Sequence, residues 1–216
     1  MIPVLGFATL TKFDLAQRLL DSIDYPIEHL IIVDNSGTKT FDPFIRDDLI
    51  KNTWIIRVPS GLGANGAWNL IIKSTPHAPY WLIANDDCWF DPGQLEIIAD
   101  AVALDAFNFV QIDPAWSCVI PTASSVEDAG LWDENFHPLY FDDDDYEWRM
   151  RELGVRFNTI PAKVNHDNSS TLKSGYAEKN AKSFTRNMRL FQDKKARRQL
   201  NPGSWSLKIR RENSWD

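Results

Sequence analysis

The chain has 216 residues, 44% of them hydrophobic and nine of them tryptophan, and a net charge of −7. Such a length fits one large domain, and such an apolar content excludes a globally disordered chain. No apolar run approaches the roughly 20 residues that span a bilayer, and the start Met1-Ile2-Pro3-Val4 has no basic n-region or cleavage signal. Cys88 and Cys118 make neither a disulfide framework nor a zinc spacing; the expectation is a cytoplasmic protein in a reducing compartment.

The first half alternates strand and helix signals. Residues 3–8 are a short apolar run, a buried strand by length. Residues 11–23 place Phe13, Leu15, Ala16, Leu19, Leu20 and Ile23 at helical spacing. A second strand over 29–33 ends in the turn chemistry of Asp34-Asn35-Ser36-Gly37. Residues 41–50 are compatible with a helix. A third strand over 54–58 is closed by Pro59-Ser60-Gly61, a helix follows over 64–74, and a fourth strand over 80–84 runs into Asn85-Asp86-Asp87. This rhythm predicts an α/β fold, a mostly parallel sheet with helices on both faces. In such sheets ligands lie beyond the carboxyl ends of the strands. Thr9, Asp34, Gly61 and Asn85-Asp86-Asp87 fall at those ends and are expected to line one crevice. The second half is less regular: a helix over 92–104, strands over 107–112 and 116–120, a helix over 143–153, a strand-like stretch over 155–160, a long basic helix over 176–199, and a loosely packed tail over 201–216.

Four consecutive aspartates, Asp142 to Asp145, stand between an aromatic run and a helical pattern that ends near Gly154. Like charges packed this closely repel, and a fold bears that most readily where a cation or a proton transfer uses them. With the acidic cluster at 85–87 they suggest a site that binds a metal diphosphate and holds a carboxylate base. A solvated acidic loop is the simpler alternative, but Tyr140, Phe141, Tyr146 and Trp148 flank the run and argue against a free tail. Charge is also divided along the chain. Residues 171–211 hold twelve Lys/Arg against Glu178 and Asp193, a net +10, which leaves −17 for the rest. An acidic body with a basic end suggests cation binding in one and docking on something anionic at the other.

Taken in order, these motifs resemble the GT-A glycosyltransferases, specifically the large inverting group called family 2. The matching segments are Ala8-Thr9, Val33-Asp34-Asn35-Ser36, Gly61-Leu62-Gly63-Ala64-Asn65-Gly66-Ala67-Trp68-Asn69, Asn85-Asp86-Asp87, Gly130-Leu131-Trp132-Asp133-Glu134-Asn135-Phe136, Asp142 to Asp145 with Arg149 and Gly154, and Val164-Asn165-His166. They cover roughly residues 2–170. The resemblance implies a glycosyltransferase domain over 1–170, with a nucleotide-binding half of about 1–90 and an acceptor half of about 91–170. Residues 171–216 would then be a basic helical extension and tail.

The resemblance also implies roles. Thr9, Asp34, Asn35, Gly61, Gly63, Asn69 and Asp86 would contact the donor nucleotide, with Asp34 on the base and Asp86 on the ribose or a metal-bound water. Asp87 and His166 would ligate Mn²⁺ or Mg²⁺, hard cations that prefer oxygen donors. Asp143 would be the general base, with Asp142 standing where the family often has Glu; neighbouring carboxylates would raise its pKa. Asp145 and Arg149, four apart, would form a helix-face pair. Trp132, Asp133 and Tyr140 would face the acceptor. A UDP-sugar is the default donor. The acceptor would be a hydroxyl compound, either a glycan, a lipid-linked sugar or nucleic acid, and an anionic one would meet the basic segment 173–211. Two departures stand out. Gly61 replaces a frequent Asn, and the Gln-x-x-Arg-Trp motif and membrane helices of the processive synthases are missing, which favours transfer of a single sugar. A nucleotidyltransferase of related fold would normally show a Gly-rich, Lys/Arg-containing signature near the start, and Gly6-Phe7-Ala8-Thr9-Leu10 lacks it. A non-catalytic carbohydrate- or nucleic-acid-binding protein would have no need of both Asp87 and Asp143.

Overall fold

The computed structural model describes residues 1–37, 39–104, 108–112, 116–167, 177–200, 203 and 205–212. Its centre is a seven-stranded sheet. Strands β1 (Ile2–Thr9), β2 (Ile27–Asp34), β3 (Ile50–Arg57) and β4 (Leu82–Asn85) run parallel. A two-residue strand, β5 (Cys88–Trp89), follows β4, and then come β6 (Phe109–Gln111), β7 (Cys118–Pro121) and β8 (Phe157–Asn158). The order is β3-β2-β1-β4-β7-β6-β8, with β7 antiparallel to both of its neighbours. A separate two-stranded sheet joins β5 to β9 (Asn165–His166).

Period-two alternation sorts the strand side chains into two cores, so both faces of the sheet are buried. Leu5, Phe7, Leu30, Ile32, Leu82 and Ala84 pack on one face with α1 (Phe13–Asp21) and α3 (Gln94–Leu104). Val4, Ile31, Val33 and Ile83 pack on the other with α2 (Gly63–Ser74), α4 (Ala123–Ala129) and α5 (Asp142–Glu152). Helix α2 comes so close that a Cβ on Gly6 would stand 2.6 Å from the Ile71 side chain, which only glycine permits.

Three expected elements differ. Residues 41–50 are not helical before β3 begins at Ile50. Their backbone groups bond to side chains instead: Phe41 N–H to Asp34 at 2.9 Å, and Phe44 through both N–H and C=O to the Gln17 amide at 2.9 Å. The expected loose tail contains helix α7 (Leu207–Glu212), with Leu207 buried and the Arg211 guanidinium donating to the carbonyls of Pro76 and Ala78 at 2.7 and 2.8 Å. The long basic helix is α6 (Ala177–Ala196), and it is no solvated appendage. Phe107, Lys173 and Tyr176, counted in the expected elements, lie outside the described residues.

Helix α6 is held by charge as well as by rings. Lys194 is 2% exposed, and its ammonium meets Asp133 at 2.6 Å and Asp145 at 2.7 Å. Asp145 also accepts from Arg149 Nε at 2.9 Å, and both of those side chains are fully buried. Arg149 also donates from Nη1 and Nη2 to the carbonyls of Ala129 and Leu131. Two carboxylates and two cations thus neutralise one another out of water. Removing one partner of such a network strands a buried charge, at a cost of about 3–5 kcal/mol. Lys194→Met should therefore lose stability on that order in urea denaturation. Arg197→Gln, on the exposed side of the same chain segment, should stay within about 0.5 kcal/mol of the parent.

Candidate functional site

The parallel register brings the expected crevice residues to one edge. Thr9 is level with Asp34 across β1 and β2, and Ala8 with Asn85 across β1 and β4. Asp34 is buried, and its two oxygens accept from the backbone N–H of Ser36 at 3.1 Å and Phe41 at 2.9 Å; Arg57 stands 3.9 Å away. It thus organises the loop at the end of β2. Asn35 ties that end to the next loop by accepting from Leu62 N–H at 3.1 Å and donating to the Gly63 carbonyl at 3.3 Å. Gly61 packs under the Asn35 carbonyl, 3.3 Å from where a Cβ would be. Gly63 has φ +73°, and a Cβ there would stand 2.8 Å from the Pro138 carbonyl. The segment 137–138 therefore lies directly on the start of α2.

The turn after β4 carries two carboxylates with different surroundings. Asp86 is half-buried, and burial pushes its carboxyl up to about 7; the Asp87 and Asp14 charges add to this and the Thr9 hydroxyl opposes it. Asp87 is 5% exposed and its carboxylate is 3.1 Å from His166 Nε2. The pairing of Cys88 with His166 in β5 and β9 produces this meeting of residues far apart in sequence. Arg18 locks the β5–β9 pair from α1: it donates to the Asp87 carbonyl at 3.3 Å and the Asp167 carboxylate at 3.0 Å, and stacks on Trp89 at 3.8 Å. Among the described residues no group of three or more His, Cys, Asp or Glu is placed to hold a metal. Asp87 and His166 supply one oxygen and one nitrogen donor, which suits a cation that takes its other ligands from a diphosphate.

The four aspartates take four environments. All fall in the first turn of α5, where the helix dipole favours negative charge. Asp142 is buried, and burial, with Asp143 and Asp144 adding repulsion, raises its carboxyl to about 7; hydrogen bonds from its own N–H and that of Tyr140 oppose the rise. Asp143 is half-buried and accepts from Asp144 N–H at 2.9 Å. Its carboxyl is raised chiefly by burial, with Glu147 contributing, rather than by the neighbouring aspartates as expected. Asp144 is exposed, and Asp145 belongs to the buried network with Arg149, the helix-face pair that the spacing suggested.

Several expected roles change. Trp132 is 2% exposed, stacks on Tyr146 with ring centroids 4.1 Å apart, and meets Trp68 edge-on at 5.3 Å; its ring belongs to the core and offers an acceptor no face. Asp133 is occupied by Lys194 and by the Asn135 N–H and amide. Asn69 clamps the 131–134 segment, exchanging bonds with Trp132 N–H and C=O at 3.0 and 2.9 Å and donating to Glu134 at 2.9 Å. Tyr140 stays half-exposed, at 5.5 Å from the ring of Phe184 on α6. Sequence reasoning missed Asn65, which donates to the Asp133 and Phe136 carbonyls, and Arg186, Asn187 and Phe184 of α6. A stripe at helical spacing, Ser183-Asn187-Phe191-Lys194, was the available signal.

No known family model matches the chain. A galactofuranosyl glycosyltransferase of Leishmania donovani is 32% identical over 88 residues, 40% of this chain and 20% of that protein. TarS of S. aureus is similar in structure, with a TM-score of 0.61 at 12% identity over 90% of this chain and 39% of TarS. TarS 1–349 in complex with UDP gives a TM-score of 0.57 at 11% identity, over 74% of this chain and 57% of that one. The chain thus spans a fifth of the curated relative and well under two thirds of TarS. At these identities the likeness is one of fold, a GT-A-like α/β architecture. No described helix is long and apolar enough to cross a membrane.

The buried Asp142 carboxyl makes a prediction independent of any activity. Its folded pKa of about 7 lies above the ordinary carboxylate value, so the folded state binds the extra proton. Stability is then full at low pH and lost as pH rises through about 7. Asp142→Asn removes that loss. The variant should gain on the parent between pH 5 and pH 8, by on the order of a few kcal/mol, in denaturation at the two pH values. A gap that does not widen with pH would mean Asp142 ionises without penalty.

Proposed function

We propose that the chain is a glycosyltransferase that moves one sugar, with inversion, from a uridine-diphosphate sugar to a hydroxyl acceptor. The observation that carries this reading is the meeting of Asp87 and His166 at 3.1 Å, just beyond the carboxyl end of β4, in a fold shared with a protein solved with UDP. The name of the Leishmania relative supports the same class.

In this reading the nucleotide lies along the ends of β1, β2 and β4, between Thr9, the Asp34-Asn35 loop, Gly61, Gly63 and Asp86. Asp87 and His166 would hold Mn²⁺ or Mg²⁺, which would neutralise charge on the departing diphosphate. Asp143 takes the acceptor hydroxyl's proton as that oxygen bonds to the anomeric carbon. The bond from carbon to the diphosphate oxygen breaks, and its electron pair leaves with the nucleotide. Inversion requires the base on the face opposite the leaving group. Asp143 is the better placed of the pair because its carboxyl is half-exposed, whereas Asp142 is buried beneath it in charge and hydrogen bonds. An anionic acceptor would meet the exposed Lys182, Arg189, Lys195, Arg197 and Arg198; Lys194, grouped with them on sequence, is spent inside the protein.

Thermal-shift titration with UDP and UDP-sugars, with and without Mn²⁺, tests the donor half. A metal-dependent rise in Tm is expected, and it should vanish in Asp87→Ala. Absence of any shift with the parent chain would sink the reading in favour of a protein that binds something else. Asp143→Asn should keep the donor shift and lose about two to four orders of magnitude in transfer. Because a base works ionised and the carboxyl is raised, the transfer rate should climb with pH on the acid side over a range above that of an ordinary carboxylate.

A further inference from the structure

The two residues before Asp142 stand in the left-handed region, Tyr140 at φ 78° and Phe141 at φ 63°, and neither is glycine. Such backbone persists only where its surroundings over-determine it. The surroundings here come from α6. Asn187 is fully buried, and its amide nitrogen donates to the carbonyls of Leu139 at 2.9 Å and Tyr140 at 3.1 Å. Its amide oxygen accepts from Arg186 Nε at 3.0 Å and Nη2 at 2.9 Å. A guanidinium only donates, so the oxygen must face Arg186 and the NH₂ must face the turn. Arg186 continues across to the carbonyls of His137 and Asn135. Phe184 and Phe191 hold the Phe141 ring, at 5.0 and 5.9 Å between centroids. The fixed turn leads directly into Asp142, and the Phe141 carbonyl accepts the first helical bond, from Asp145 N–H at 3.0 Å.

We infer that Asn187, oriented by Arg186, is the positioning residue of the Asp142–Asp143 carboxylate pair, so that α6 is part of the reaction site. The inference rests on the proposed glycosyl transfer for its catalytic meaning and on the hydrogen-bond geometry for the positioning itself. Releasing the turn lets the Asp142 carboxyl turn to solvent, away from Asp143 and Asp144.

Carboxyl ¹³C NMR titration of the full chain reads this directly in the parent, Asn187→Ala and Arg186→Met. The Asp142 midpoint should fall by about one pH unit or more in Asn187→Ala, as burial is relieved, and in the same direction by less in Arg186→Met. Where the parent transfers sugar, kcat should drop about a hundredfold in Asn187→Ala, with the UDP-dependent thermal shift kept. A lowered Tm with the Asp142 midpoint unchanged would reduce Asn187 to a structural residue and overturn the inference. Arg186 is exposed, so its variant carries the test if Asn187→Ala does not fold: an unchanged midpoint there overturns it equally. Shifted midpoints in a chain that transfers nothing would leave the positioning intact and refute the glycosyl-transfer reading alone.

Discussion

Lys194 joins three pieces of chain at one buried point. Its ammonium donates to Asp133 from the segment after α4 and pairs by charge with Asp145 from α5, and it arrives on α6 from the far end of the sequence. Desolvating these charges is costly, and the cost is met only when all partners are in place. Asp145 accordingly has a second cation in Arg149, and Asp133 has the Asn135 amide and N–H for its other oxygen. The network is neutral as a whole. It fixes how far along its axis α6 can sit, because a slip of one turn would bury Lys194 against nothing.

With α6 fixed, the loop from 131 to 141 is held at both ends by the same chemistry. Buried asparagine amides of α2, Asn65 and Asn69, take the carbonyls and N–H of 132, 133 and 136. A buried asparagine amide of α6 takes the carbonyls of 139 and 140. An irregular segment exposes backbone groups that the protein interior must satisfy, and a short amide with both donors and an acceptor does this without adding charge. The loop also lies on Gly63, where its carbonyl at 138 accepts from Ala64 N–H at 3.3 Å. A path of direct contacts thus runs from the sheet-end crevice to the start of α5, without passing through the core.

The parallel half of the fold was legible because its signals are local. Short apolar runs, helical spacing and turn residues alternate there, and the strand-end residues Thr9, Asp34 and Asn85 follow once the strands are in register. The segment 41–50 was misread because its composition fits a helix, while its hydrogen bonds go to Gln17 and Asp34, which local pattern cannot reveal. Trp132 and Lys194 failed for a related reason. A tryptophan beside a presumed acceptor site and a lysine in a basic run both suggest surfaces, and only the tertiary partners Tyr146 and Asp145 turn them inward. The meeting of Asp87 with His166 depends on a two-residue strand pairing, too short to leave a periodic signal.

Asp142 and Asp145 occupy one helical turn, and both are buried, yet the fold treats them oppositely. Asp145 receives two cations at hydrogen-bonding distance. Burial, with repulsion from Asp143 and Asp144, keeps the Asp142 proton to about 7 against the backbone hydrogen bonds that oppose it. A run of acids selected only to cap a helix would gain from exposure, where charge costs least and the dipole still helps. A run selected only for packing would neutralise every buried member. This one neutralises the acid that joins helices and leaves another under strain beside the half-exposed Asp143, on a turn of left-handed backbone that α6 must hold in place. Uncompensated burial of charge on strained backbone lowers stability, and such features concentrate where chemistry uses them. The contrast between two aspartates three residues apart therefore argues for a working site at the start of α5 more strongly than the acidic run does by itself.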